Sequence, residues 1–301
     1  MANTSLTEIL SPATLAQIDN YLLMARVVVE GFMAGMHRSV YHGAGSEFLQ
    51  YRTYSPGDDL KYVDWKVLAR QDRFYTKVYQ EETNLNCAII VDGSASMNYH
   101  GAHAPCSKFH YATMVAACLA YLATTQGDNV GLFCYSDTVQ CAVPPRRRTG
   151  HLEYILTELA RIQPAGQADH AQFLPTIAES LRRRGVVVLV SDFLGAENDV
   201  PSQLKRFRYT GHDCLAIQIL DPDERDLPFS ATCRFIDSES GDQVVTSPPQ
   251  VKTEYQRAME QFLDTMRQGC LDAQVDYLLH NTTDNLGEML AAYLNHRRSV
   301  Y

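Results

Sequence analysis

From residue 85 onward the chain alternates between short runs of consecutive apolar residues and longer stretches with apolar residues every three or four positions. The runs "NCAIIVD" (86–92), "NVGLFCYSD" (129–137), "GVVVLVSDF" (185–193), "HDCLAIQIL" (212–220) and "VDYLLHN" (275–281) predict strands. A run that is apolar throughout suits a strand covered on both faces. "TVQCAVPP" (138–145) predicts a short strand closed by prolines. Helical spacing marks "SKFHYATMVAACLAYLATTQGD", "HLEYILTELARI" (151–162), "AQFLPTIAESLRRR" (171–184), "DVPSQLKRFRYTG" (199–211), "QVKTEYQRAMEQFLDTMRQGC" (250–270) and "DNLGEMLAAYLNHRR" (284–298). Ser107 suits the N-cap of the first of these, Gly127 the position past its end, and Pro175 the first turn of the third. "TCRFIDSESGDQVVTS" (232–247) predicts a hairpin with Gly241-Asp242 near its turn. Strands separated by helices imply βαβ units, hence an α/β fold with a doubly wound, mostly parallel sheet.

The first 84 residues have a different pattern. "SPATLAQIDNYLLMARVVVEGFMAG" (11–35) is expected to be helical in its first half, and glycines and the strand-like "EFLQYRTY" and "RFYTKVYQ" follow. The expected organisation is a helix plus a small β-rich appendage over residues 1–84, beside an α/β domain over 85–298. Within the appendage "SPGD" is a turn signature, and Asp58, Asp59 and Asp64 lie near Arg52, Lys61 and Arg70 in sequence. That charge network, with Trp65 as apolar anchor, is expected to dock the appendage.

Composition narrows the function classes. The 301 residues are 46% hydrophobic and 20% charged, ordinary for a globular chain. The net charge of −9 argues against a general nucleic-acid or anionic-membrane binder. The arginine triplets at 146–148 and 182–184 read as solvated surface, the first also as a rim contact for an acidic partner. No window reaches the roughly 18 apolar residues of a membrane helix, and the start lacks a basic leader, so a cytoplasmic location is expected. The eight cysteines, most of them inside apolar segments, are expected to be reduced core residues.

Functional groups of an open parallel sheet collect where strands end at their carboxyl side. One strand here ends in Asp92, Ser94 and Ser96, another in Ser191 and Asp192. If the two are neighbours, their loops share a crevice whose oxygen donors suit a hard divalent ion, Mg²⁺ above all. Each aspartate alone reads as a helix cap or loop brace. Two of them at the ends of the most apolar strands favour a site.

"DGSASM" after an apolar strand resembles the metal-ion-dependent adhesion site of von Willebrand factor A domains, and "VVVLVSDF" the later strand that ends in that site's aspartate. "GSEFLQYRTYSPGDDLKYVDWKVLAR" (45–70) and "DYLLHNTTDNLGEMLAAYLNHR" resemble the bacterial domain-of-unknown-function 58 family, whose proteins carry such an A-like domain. The resemblance implies a non-enzymatic protein-interaction module working with a MoxR-type AAA+ ATPase in assembling or activating other proteins. It implies Mg²⁺ (Mn²⁺ as substitute) held by Asp92, Ser94, Ser96 and Asp192, with one position open for a partner's carboxylate. The family's threonine ligand falls on Ala168 in "PAGQADHAQF", so Asp169 or a water would have to substitute.

Two other chemistries find some of their residues in this sequence. His100, His103, Cys106 and His110 could bind Zn²⁺, but their spacing matches no zinc pattern, and the loop is expected to shape the rim of the crevice. A serine hydrolase would use Ser94 or Ser96 as nucleophile, His170 or His100 as base and Asp192 as orienter. It lacks the G-x-S-x-G elbow, and the absence of a G-x-x-x-x-G-K loop argues against ATP hydrolysis by this chain.

Overall fold

The computed structural model describes residues 11–36, 47–54, 63–71, 73–80 and 85–300. In chain order the first elements are α1 (Pro12–Leu15), α2 (Tyr21–Met36), β1 (Glu47–Thr53), α3 (Trp65–Gln71) and β2 (Tyr75–Gln80). The second group is β3 (Asn86–Asp92), α4 (Lys108–Thr125), β4 (Asn129–Tyr135), β5 (Val139–Arg146), α5 (His151–Arg161), α6 (His170–Ser180) and β6 (Gly185–Ser191). The last is α7 (Asp199–Tyr209), β7 (Asp213–Leu220), α8 (Pro222–Asp226), β8 (Cys233–Ile236), β9 (Gln243–Thr246), α9 (Pro248–Asp272), β10 (Asp276–Asn281) and α10 (Leu286–Val300).

The main sheet has six strands in the order β10-β7-β6-β3-β4-β5, parallel except for β5. This is the expected α/β, doubly wound architecture with helices on both faces. Successive side chains of a strand face opposite ways. Cys87, Ile89 and Val91 of β3 therefore join one core with α2, α4, α5 and α10, while Ala88 and Ile90 join the other with α6, α7 and α9. Every residue of β6 is buried, as its unbroken apolar sequence requires. Pro144 and Pro145 are tolerated because β5 is an edge strand.

Three expectations change. Helix α2 occupies the second half of the first helical stretch, because the Asn20 carboxamide accepts the Leu23 N–H and starts the helix there. Burial of Met24, Ala25, Val28 and Val29 in the α4 core outweighs the strand preference of the valine run. Asp169 caps α6 and sets its start at His170, so Pro175 lies inside the helix rather than in its first turn. Trp65 is 56% exposed rather than buried as an apolar anchor would be, whereas Asp64 beside it is buried and accepts the Val67 N–H that opens α3. The "SPGD" turn with Asp58, Asp59 and Lys61 lies outside the described residues. Strands β1 and β2 form a separate antiparallel pair, and β8 and β9 the expected hairpin with Gly241 at φ +78°.

Candidate functional site

Strand order reverses between β3 and β6: the chain runs from β3 outward to β4, and from β6 the other way to β7 and β10. A doubly wound sheet opens its crevice at such a switch point. Val91 pairs with Val190 across that boundary, which sets Asp92 beside Ser191 and Asp192. The two strand ends are neighbours.

The turn after β3 is held from several sides. The Gly93 N–H donates to the Tyr135 carbonyl, and the Gly93 carbonyl accepts from the Ala165 N–H. A Cβ at 93 would come within 2.6 Å of Gln140 Oε1 and 2.9 Å of Cys134 Sγ, so a side chain there would force both to shift. Asp92, fully buried, accepts the Ser94 N–H at 2.9 Å and the Ser191 hydroxyl at 2.6 Å. Its Oδ2 is 3.7 Å from His170 Nε2. The Ser94 and Ser96 hydroxyls lie 3.0 Å apart, Ser94 buried and Ser96 half-buried at the rim. Phe193, buried at φ +56°, turns the chain after β6 so that the Leu194 N–H donates to Asp192 Oδ1. A bulky residue in that conformation stores strain that the surrounding packing must hold.

Two residues that sequence reasoning missed fix the charge of the crevice. The Lys108 ammonium, completely buried, donates to Asp192 Oδ2 at 2.8 Å and to Glu224 Oε1 at 2.6 Å. Burial works against its charge, yet Asp192 and Glu224 outweigh that and raise its proton affinity. Burial likewise opposes the Asp192 charge, but Lys108 holds that carboxyl below its ordinary range. Burial, with Asp192 nearby, pushes Asp92 up. A signal for Lys108 existed: a cation in the first turn of a helix opposes the macrodipole unless an acid faces it. Glu239, half-buried on the β8–β9 tip, is the second residue. Burial pushes it up, aided by Asp192 and Asp92, while hydrogen bonding from Ser96 and Ser94 holds it down. Its side chain lines the same groove as Ser96, near the hydroxyl pair where the resemblance puts a partner's acid.

The other expected site residues go elsewhere. Asp169 is exposed and accepts the Gln172 N–H as the α6 cap, without contact to Asp92, Ser94 or Ser96. From the Ala168 loop it is Gln167 that lines the groove beside Ser96. The hydrolase triad is not formed. His170 Nδ1 is 2.7 Å from the Tyr135 hydroxyl, His100 Nε2 is 3.0 Å from the Ala104 carbonyl, and Asp192 holds a lysine. His103 pairs with Asp223, and His110 stacks edge-on against Tyr21. The four candidate zinc ligands therefore do not converge, and among the described residues no cluster of three His, Cys, Asp or Glu is arranged for a metal. The loop is instead docked on α8, with the Gly101 and Ala102 N–H groups donating to Asp221 and Asp223, both at 2.8 Å.

Residues 50–263 match the family described as "Protein of unknown function DUF58". The chain belongs to the DUF58 family. The uncharacterized protein Rv1480 of Mycobacterium tuberculosis is 31% identical over 233 residues, covering 76% of this chain and 72% of that protein. Uncharacterized protein Mb1516 of Mycobacterium bovis matches to the same extent. Among solved structures, BatB from Bacteroides thetaiotaomicron overlaps with a TM-score of 0.49 at 14% identity, over 70% of this chain and 97% of that one. The VWA domain of SpRpn10 overlaps with 0.44 at 13% identity, over 69% and 94%. These overlaps are partial, and the doubly wound, mostly parallel architecture of this DUF58 chain is read from its own sheet order.

The donor set matches a hard cation chemically. Asp92, Ser94, Ser96, Asp192 and Glu239 offer only oxygen, and the ammonium of Lys108 is bound to Asp192 and Glu224. The upward pressure on Asp92 and Glu239 comes first from burial and then from the neighbouring carboxylates, and a bound cation would relieve both.

Proposed function

We propose that this DUF58 protein is a non-enzymatic docking module, and that a protein partner engages it at the carboxyl edge of β3 and β6. The observation that carries the reading is the convergence of the Ser94 and Ser96 hydroxyls with Asp92, Asp192 and Glu239 at the switch point. In this reading Mg²⁺, or Mn²⁺ in its place, is held by Asp92, Ser94, Ser96 and Asp192. The ion supplies positive charge and an open coordination position for a partner's carboxylate. Lys108 keeps Asp192 ionised and in place, and Glu239 guards the hydroxyl pair until a stronger ligand arrives. The partner is a MoxR-type AAA+ ATPase or its client, as the family resemblance implies, and a cytoplasmic location goes with it. Among the described residues no helix is long and apolar enough to cross a membrane.

Thermal unfolding with and without Mg²⁺ tests the ion. Ligand at about 100 times its dissociation constant adds roughly 2.7 kcal/mol, a midpoint rise on the order of 5 °C or more for a chain of this size. The rise is expected in wild type and absent in Ser96→Ala; no rise in either removes the ion from the proposal. For the partner, a purified MoxR-type ATPase from the same organism is tested by interferometry. The ATPase needs Mg²⁺ itself, so Ser96→Ala and not a chelator is the control. Equal affinity for both forms would place docking elsewhere.

A further inference from the structure

The site opens sideways into a groove of about 620 Å³ between the β8–β9 hairpin and the turn after β3. That volume lies within the range of about 300–1,000 Å³ typical of ligand pockets. Its lining is apolar and aromatic on one hand, with Tyr99, Leu227, Phe229, Phe235 and Tyr255, and acidic on the other. Five carboxylates line it (Asp223, Glu224, Asp237, Glu239 and Asp242), and no lysine, arginine or histidine does.

Three of those carboxylates are already satisfied. Asp223 holds the Ala102 N–H and His103, Glu224 holds Lys108, and Asp237 accepts the Glu239 and Ser240 N–H groups that shape the hairpin tip. Glu239 and Asp242 face no cation among the described residues. At the mouth, Leu194, Ile236 and Val244 are 42%, 52% and 61% exposed, an apolar rim around an acidic slot. Unpaired carboxylates beside aromatic faces match a guanidinium, whose planar fork bonds the acid while its face stacks on a ring.

We propose that this groove binds an arginine-bearing apolar segment of the partner protein. The guanidinium lies against Glu239 and Asp242, and its apolar neighbours cover Phe229, Phe235 and Tyr255. The proposal rests on the reading of this edge as a protein-docking site, but needs no metal ion. An acidic segment entering the groove without an ion would add its charge to five carboxylates. A basic segment also draws Glu239 away from Ser94 and Ser96, which would couple the groove to the hydroxyl pair.

The test is selection from a random peptide library displayed on phage, against the immobilised full chain in EDTA. A selected peptide is then measured by fluorescence polarisation. Enriched sequences are expected to pair Arg with Leu, Phe or Tyr. Their affinity should fall at least tenfold in the Glu239→Gln/Asp242→Asn double variant, fall with added salt, and survive Ser96→Ala. Both substituted side chains lie on an exposed hairpin, so the variant is expected to fold, with circular dichroism as the check. No enrichment, or affinity unchanged in the double variant, overturns the proposal. Acidic peptides selected only when Mg²⁺ replaces EDTA overturn it too, while supporting the ion-bridged reading. Self-association lost in the double variant would make a second copy the occupant and overturn it as stated.

Discussion

Replacing Lys108 by methionine removes one ammonium and keeps an unbranched chain of similar reach in a completely buried position. What remains are two carboxylates, Asp192 and Glu224, that lay 2.8 and 2.6 Å from that charge. Removing one partner of a buried ion pair costs about 3–5 kcal/mol, because the other charge stays desolvated. At about 2–4 °C per kcal/mol for domains approaching this size, the midpoint should fall by roughly 10 °C. The pH dependence identifies the cause. In wild type the Asp192 carboxyl is held low by Lys108, so its contribution is present above the ordinary carboxylate pKa of about 3.9 and is lost as acid protonates it. In Lys108→Met, burial and the mutual repulsion of Asp192 and Glu224 lose the ammonium that opposed them, and both carboxyls move up. Their cost is then largest where they are ionised, near pH 7.5, and shrinks toward pH 5 as they take up protons. Differential scanning calorimetry of both proteins at the two pH values measures this. A midpoint loss below about 2 °C at pH 7.5, or an equal loss at pH 5, would refute the assignment of Lys108 as the counter-charge of the site.

Gly101→Ala places a methyl group against the Asp221 and Asp223 carboxylates, which receive the loop's N–H groups, so a midpoint drop of several degrees by thermal unfolding is expected. An unchanged midpoint would mean that the loop is not docked on α8. Trp65, the single tryptophan, is more than half exposed, so its emission should peak near the value for water and quench readily with acrylamide. A blue-shifted, protected emission would restore its role as an anchor. Seven of the eight cysteines are buried and only Cys233 is partly open, while burial pushes the Cys106 and Cys270 thiols up to about 12. Ellman's reagent should therefore find about one fast thiol in the native protein and eight after denaturation; three or more fast thiols would contradict that burial.

Local pattern carried most of the fold. Consecutive apolar residues in β3 and β6 report a strand covered twice, and the prolines of β5 report an edge. The failures came where a neighbour decided the outcome. The stretch 11–35 reads as helical in its first half only, but α4 offers Met24, Ala25, Val28 and Val29 a helical packing surface that no local window contains. Trp65 read as an anchor on composition alone, and exposure depends on what packs over a residue rather than on its type.

The candidate site divides along the same line. Asp92, Ser94, Ser96 and Asp192 were legible because each closes a strand, and parallel strands deliver their ends to one edge. Lys108 and Glu239 stand at a helix start and a hairpin tip, 84 residues before Asp192 in one case and on an element outside the main sheet in the other. Yet these two decide the behaviour of the crevice. Without Lys108 the aspartate pair would face burial unpaired, and with Glu239 the exposed hydroxyl already has an acid beside it. A ligand for this edge must therefore either bring positive charge or displace Glu239. Mg²⁺ meets the first condition at the hydroxyl pair, and an arginine meets both from the groove.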